Sequence, residues 1–217
     1  LEKADCGLVA GRVTGRREER VMADVQAATP VAPRVVDGVE YPAVGTYAID
    51  PAHTTVGFSV RHMAVSKVRG AFVGIQGSFE VAERPEDSSV TVTIDPNSVD
   101  TRDETRDNHL RSADFFDVTN HPEWRFESIA VRTVKPGRFE VDGHLTIRGV
   151  TQKVELELEL EGVVTDPYGN HRVGFSARTS INRDDFGVSF GAVMEGGGLV
   201  VGKKVDIEIE AEAVLQV

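Results

Sequence analysis

From residue 46 to residue 215, apolar and polar side chains alternate in short runs with a period of two. The clearest run is Val154-Glu-Leu-Glu-Leu-Glu-Leu160, with one apolar and one acidic face. Successive side chains of an extended strand point to opposite faces, so this run fits a half-buried strand and no helix. Similar runs occupy residues 46–50, 54–63, 68–81, 89–94, 124–131, 139–147, 151–165, 172–181 and 205–215. Gly70, Gly74 and Gly77 punctuate the third of these, at places suited to the bends or bulges that curl a sheet. Turn residues at Pro136-Gly137, Arg148-Gly149 and Asp166-Pro-Tyr-Gly-Asn170 make the links short. Neighbouring strands are therefore expected to be antiparallel and in up-and-down order. About eight such strands close into a barrel that either packs solid or holds one small ligand.

One segment departs from the pattern. Residues 101–113 predict a single α-helix inserted between strands: Thr101-Arg-Asp-Glu104 reads as a capping box, and Asp107 stands four residues before Arg111, placed for an ion pair. Leu110, Phe115 and Phe116 supply its apolar anchor, so the helix is expected to plug or cross one end of the barrel. Residues 187–202 are glycine-rich and carry Phe190, Val193, Met194 and Leu199. They read as a loop over the barrel wall, or as a lid or lipid-facing rim. Residues 1–44 read as a poorly ordered tail or linker, extended where prolines block helix, and 45–217 as the barrel domain. Within the tail, Met22 reads as a natural start and residues 1–21 as non-native or as an extended reading frame.

Composition narrows the function. Hydrophobic residues make up 40% of the 217, enough for a sizeable core. The net charge is −11, and no Lys/Arg run marks a phosphate-binding stripe, so nucleic acid is not an expected partner. On net charge alone, an anionic membrane is disfavoured as well. The single cysteine, Cys6, excludes an internal disulfide and a cysteine-rich zinc site. No apolar run approaches the roughly 18 residues of an integral membrane segment. The beginning of the chain lacks the apolar core of a signal peptide, so the expected compartment is the cytoplasm. The six histidines, His53, His62, His109, His121, His144 and His171, show no recognisable metal spacing. There is no Gly-x-Ser-x-Gly elbow and no phosphate loop. Catalytic residues, bound metal and cofactor are accordingly not expected.

Six stretches carry a resemblance. Tyr47-Ala-Ile-Asp-Pro-Ala-His53, Phe58-Ser-Val-Arg-His-Met63 and Val68-Arg-Gly-Ala-Phe72 come first. Arg106-Asp-Asn-His-Leu110 with Asp114-Phe-Phe-Asp117, Leu145-Thr-Ile-Arg-Gly-Val-Thr151 and Ile181-Asn-Arg-Asp-Asp-Phe-Gly187 follow in order. Together they resemble the YceI-like polyisoprenoid-binding proteins over about residues 45–216. The resemblance implies an eight-stranded antiparallel lipocalin-like β-barrel, often a homodimer, holding a long-chain isoprenoid or similar amphiphilic lipid as its ligand. Many members of that family are periplasmic and carry a signal peptide. Thr54 stands where they commonly have serine.

Strand parity then names a lining. Val56, Phe58 and Val60 share a face, as do Ile75 and Phe79, and Val90, Val92 and Ile94; Phe72 is a further lining candidate. Phe126, Leu145, Ile147, Leu156, Leu158, Phe175, Ile181, Val205 and Ile207 continue it, with Phe115 from beyond the helix. Polar candidates for the pocket or a lipid headgroup are His53, His62, Arg106, Asp107, His109, Asn182 and Arg183. The expected function is binding and carriage or sequestration of a polyisoprenoid, without catalysis. Two rivals stay open at this point. A lipid-modifying enzyme would gather His53, His62 or His109 with Asp107 inside the cavity. A filled barrel acting as an interaction module would have no continuous cavity.

Overall fold

The computed structural model describes residues 34–191 and 200–216. Its strands are β1 (Arg34–Val36), β2 (Val39–Tyr41), β3 (Gly45–Ile49), β4 (Thr55–His62), β5 (Ser66–Phe72), β6 (Ile75–Val81) and β7 (Ser89–Ile94). After these come β8 (Val99–Asp100), helix α1 (Glu104–Arg111), β9 (Trp124–Lys135), β10 (Arg138–Ile147), β11 (Val150–Thr165), β12 (His171–Asn182) and β13 (Val201–Leu215). All ladders are antiparallel, in the order β12-β11-β10-β9-β7-β6-β3-β13, and β13 returns to β12 to close the ring. The result, among the described residues, is a closed eight-strand antiparallel β-barrel with one α-helix, in the up-and-down order the turns predict.

Eight staves account for the strand segments of the barrel because three staves are broken. β3 and β4 are halves of one stave, parted at Pro51–His53, where proline ends the ladder and the Asp50 side chain accepts from the Ala52 N–H. β5 and β6 are halves of the next, bent at Val73-Gly74, whose amides donate to Ser98 Oγ. β7 and β8 are separated by the turn Pro96–Ser98. Proline and glycine thus set the corners a barrel needs.

The helix forms, but its start differs from the expected capping box. Asp103 is the N-cap, accepting from the Arg106 N–H, while Thr101 lies buried beneath the helix. Thr101 donates from both its amide and its hydroxyl to the Asp107 carboxylate, at 3.0 and 2.5 Å. That carboxylate is buried, with both bonds on its Oδ1, and the expected Asp107–Arg111 pair does not form. Arg111 donates instead to the carbonyls of Asn97 and Val99. A two-residue difference in the cap follows from Thr101 being more valuable as a buried anchor.

Residues 34–41, read from sequence as part of a poorly ordered tail, form the β1–β2 hairpin. Asp37-Gly38 makes its turn with φ of 50° and 80°, the Asp-Gly signal of a tight hairpin. Tyr41 packs edge-on to Phe139, and its hydroxyl accepts from the Gly137 amide. The hairpin covers the barrel end opposite the helix. Met22 and residues 1–21 lie outside the described residues.

Arg172 ties this closure on the outside. It donates to Asp50, Asp166 and Glu212, joining β12 to the β3–β4 corner, the β11–β12 turn and β13. Asp50 is held at about 2, below its ordinary 3.8, first by Arg172 and then by His53. Arg172 also holds Asp166 well below the usual carboxylate range. An unfolded chain lacks these partners. Their stabilisation is therefore complete above about pH 4 and is lost as pH falls toward 2. Replacing Arg172 by Met should lower the urea midpoint at pH 7 and flatten its decline between pH 4 and 2. Parallel acid profiles for the two proteins would contradict this reading.

Candidate functional site

Three apolar cavities lie in series along the barrel axis. The helix-end chamber, about 130 Å³, is walled by β4, β5, β9, β10, β12 and β13, with Leu110, Phe115, Phe116, Phe186 and Val188 at its end. The middle chamber, about 100 Å³, shares Val56, Ile94, Leu145 and Ile207 with it. The hairpin-end chamber, about 80 Å³, lies under Arg34, Tyr41 and Pro42 and shares Phe79, Val90, Leu158 and Phe175 with the middle one. The shared walls make one segmented tunnel. Apolar cavities of this order stay dry and accept hydrocarbon or aromatic guests.

Every apolar residue named from strand parity stands on this tunnel. Phe58, Val60, Phe72, Phe115, Ile181 and Val205 face the helix-end chamber, together with the four shared residues. Ile75, Val92, Phe126 and Leu156 face the middle chamber. Phe79, Leu158 and Phe175 stand where the middle and hairpin-end chambers meet. There the Phe79 and Phe175 rings stack with centroids 5.2 Å apart and planes at 27°, forming a partition. At the other end, Phe72, Phe116 and Trp124 pack within 4.8–5.9 Å of one another, with Phe58 against Phe72 at 5.5 Å.

Glycines make room for two of these rings. A side chain at Gly143 would begin 2.3 Å from the Phe126 ring, and one at Gly70 would begin 2.5 Å from Phe58. Both positions therefore need a bare backbone.

The polar candidates are dispersed. His53 is exposed on the outer surface and pairs with Asp50 at 2.9 Å. His62 ends β4 opposite Ser66 and Val201. His109 pairs with Asp114 and packs edge-on to Phe115 and Phe190 on the outer side of the helix end. Arg106 donates to the Thr101 hydroxyl and carbonyl, and Asp107 is the buried anchor described above. Asn182 caps the turn Arg183–Phe186. None of these six lines the tunnel. The cluster of His53, His62 or His109 with Asp107 required by the enzyme rival is not formed: His53 sits at the Pro51–His53 corner, His62 at the end of β4 and His109 on the helix beside Asp114, while Asp107 is held by Thr101.

Only Arg183 reaches the tunnel. It is buried and donates to the carbonyls of Val188, Val201 and Gly202, with Asp184 at 3.7 Å. Arg148 acts alongside it, donating to the carbonyls of Ala113, Phe115 and Gly187. Two guanidiniums thus fasten the segments that roof the helix-end chamber. Asp50, His53 and Glu212 bring ligand atoms within 4.8 Å of one another, but the Arg172 guanidinium already bridges both carboxylates. The guanidinium thus stands between the two carboxylates, on oxygens a cation would need.

Sequence reasoning missed Tyr41, Phe139, Val141, Leu160, Trp124, Phe186 and Val188, which also line the tunnel. Phe139, Val141 and Leu160 carried a usable signal, the alternation of β10 with Leu145 and of β11 with Leu156 and Leu158. The others lie at ends and turns, where parity gives no direction.

The family model for the YceI-like domain matches residues 47–213. The chain belongs to the YceI-like family. A UPF0312 protein of Staphylococcus aureus (strain N315) is 36% identical over 172 residues, covering 76% of this chain and 95% of its own length. BcnA of Burkholderia cenocepacia shares the YceI-like fold at a TM-score of 0.66 and 22% identity, over 76% of this chain and 98% of BcnA. A polyisoprenoid binding domain from Saccharophagus degradans, implicated in plant cell wall breakdown, gives a TM-score of 0.59 at 14% identity, over 80% and 99% of the two chains. The YceI-like match begins at Tyr47, so the hairpin over the far end of the barrel lies outside it.

The roof of this YceI-like barrel supplies a test. Arg183→Met keeps much of the side-chain volume but leaves three carbonyls without their donor. The expected loss of stability is about 2–4 kcal/mol in urea unfolding at pH 7. An unchanged midpoint would show that the roof is held by other contacts.

Proposed function

We propose that the tunnel holds the chain of a polyisoprenoid lipid and that the protein carries or sequesters this lipid without transforming it. The observation that carries this reading is an apolar wall shared by three chambers, with Arg183 as its one charged lining residue among the described residues apart from those at the hairpin-end mouth. Arg183 already serves three carbonyls, which leaves the wall suited to packing and poorly equipped for acid–base or nucleophilic work. The polyisoprenoid binding domain from Saccharophagus degradans supports the choice of ligand class.

The energetics favour a long, flexible chain. Each buried methylene contributes about 0.8 kcal/mol, so several isoprene units offset the cost of ordering the ligand. The chambers need not be wide when empty, since side chains at their partitions can turn aside for a threaded tail. Methyl branches at regular spacing would suit a tunnel of alternating chambers and constrictions.

Native mass spectrometry of the purified protein, followed by lipid extraction and fragmentation, is the direct test. A stoichiometric adduct with isoprene-spaced fragments is expected. Val92→Trp fills the middle chamber and should reduce adduct occupancy at least tenfold while the far-ultraviolet spectrum stays that of the parent. A clean apo mass that persists after incubation with isoprenoid quinones and polyprenyl lipids would overturn the proposal.

A further inference from the structure

The β4–β5 hairpin carries features that neither the barrel nor the tunnel requires. Its tip is Met63-Ala64-Val65, with Met63 40% and Val65 80% exposed. Met63 and Ala64 adopt φ of 49° and 59°, the left-handed values of a tight hairpin turn. Asn-Gly is the sequence that adopts such a turn at least cost. A methionine and an alanine there accept backbone strain and expose apolar surface, a combination that points to a use for the side chains.

The charge around the tip is equally distinctive. The chain has a net charge of −11, yet residues 51–79 contain no Asp or Glu. Arg61, Lys67 and Arg69 lie on the outward face of the hairpin, since Phe58 and Val60 on the opposite parity face the tunnel. Lys203 and Lys204 follow on adjoining β13. Their carboxylate partners are few. Asp206 takes both Lys67 and Lys204, and Asp184 takes Lys203. Among the described residues Arg61 and Arg69 have no carboxylate partner. Net charge is a poor guide at this range, because screening confines electrostatic attraction to about 8 Å at physiological salt.

The position is also informative. The β4 and β13 strands at the base of the hairpin supply Val60, Val201 and Val205 to the helix-end chamber. From Ser66 to Gly70, β5 pairs only with β4 among the described strands and leaves its outer edge open, while β4 stays on β13 up to His62. An apolar tip behind a basic collar suits insertion between lipid headgroups, with anionic headgroups meeting the arginines and lysines.

We propose that this hairpin docks the protein on an anionic lipid bilayer and sets the helix-end chamber against the membrane for lipid exchange. The inference rests on the carrier reading for its purpose, but its test is separate. The full chain is sedimented with phosphatidylcholine–phosphatidylglycerol vesicles and with pure phosphatidylcholine vesicles. The parent should bind the former, weakly or not at all the latter, and should be released by salt. Arg61→Glu with Arg69→Glu should weaken binding at least tenfold. Met63→Asn, Ala64→Gly and Val65→Ser together should also weaken it at least tenfold, while the melting midpoint stays level or rises because the turn is relieved. A purely structural hairpin would not separate stability from vesicle binding in this way.

Absence of vesicle binding by the parent, or equal binding by the triple variant, would overturn the proposal. A change in oligomeric mass with vesicle binding unaltered would do the same and assign the tip to contact with a second copy. Native mass spectrometry on the same samples keeps the two readings apart. A lipid adduct without vesicle binding removes only the docking step, and vesicle binding without an adduct removes only the carrier.

Discussion

Everything inside this barrel depends on one strand having partners on both sides. β13 pairs along its length with β12, and on its other edge with β4 through Glu210 and with β3 from Ala213 onward. An open sheet with these strands would leave one apolar face and two edges exposed to water. Closure through β13 turns that face into an interior and removes the free edges along most of the ring. The broken first stave is part of the same solution, because β3 and β4 both run antiparallel to β13 on either side of the corner at Pro51–His53, while pairing with β6 and β5 on their other edges. Arg172 strengthens this closure from outside by holding carboxylates from that corner, β13 and the β11–β12 turn together.

Closure explains an interior, but not why part of it stays empty. Side chains must be large enough to line the wall and placed so that they do not meet at the axis. Here the aromatic groups are gathered in clusters. Phe58, Phe72, Phe116 and Trp124 crowd together near the helix end, and Phe79 stacks on Phe175 near the other. Between them the wall is mainly Val, Ile, Leu and Ala, which leaves the middle chamber. Gly143 and Gly70 contribute by letting Phe126 and Phe58 lie against the backbone. The cavity is thus a consequence of where the bulk is placed.

The wall was legible in the sequence because the physics behind it is local. A strand has two faces, and once Leu156 and Leu158 are assigned to the interior, Glu155 and Glu157 must face outward. The same parity placed Val56, Phe58 and Val60, and later Val205 and Ile207. The polar candidates had no such rule. His53, His62 and His109 belonged to the stretches of strongest resemblance, but their directions depend on a corner, a strand end and a helix surface. The cap of α1 was misread for a related reason: Thr101 and Asp103 are both good N-caps, and only burial of Thr101 beneath the helix decides between them. The β1–β2 hairpin did carry a local signal in Asp37-Gly38, but its strands are too short to show alternation. Arg183 and Arg148 were illegible as roof ties because their partners are carbonyls, which every residue has.

The two ends of the tunnel are closed by different forces, and this bears on which one opens. At the hairpin end, Tyr41 and Phe139 pack ring against ring and Tyr41 is buried, so opening exposes aromatic surface to water. At the helix end, Arg148 and Arg183 hold the roof through hydrogen bonds to main-chain carbonyls. Water can replace such bonds, so each contributes only about 0.5–3 kcal/mol net to the closed state, the upper part of that range belonging to bonds from a charged donor. Exposed apolar surface has no comparable substitute. Local opening is therefore cheaper at the helix end, provided the apolar surface uncovered there meets something other than water. A lipid surface satisfies that condition: it accepts Phe115, Phe116 and Phe186 as readily as the barrel does, while the released guanidiniums meet water or anionic headgroups. Under the proposed docking, a roof that is costly to open in solution would cost less to open against the bilayer.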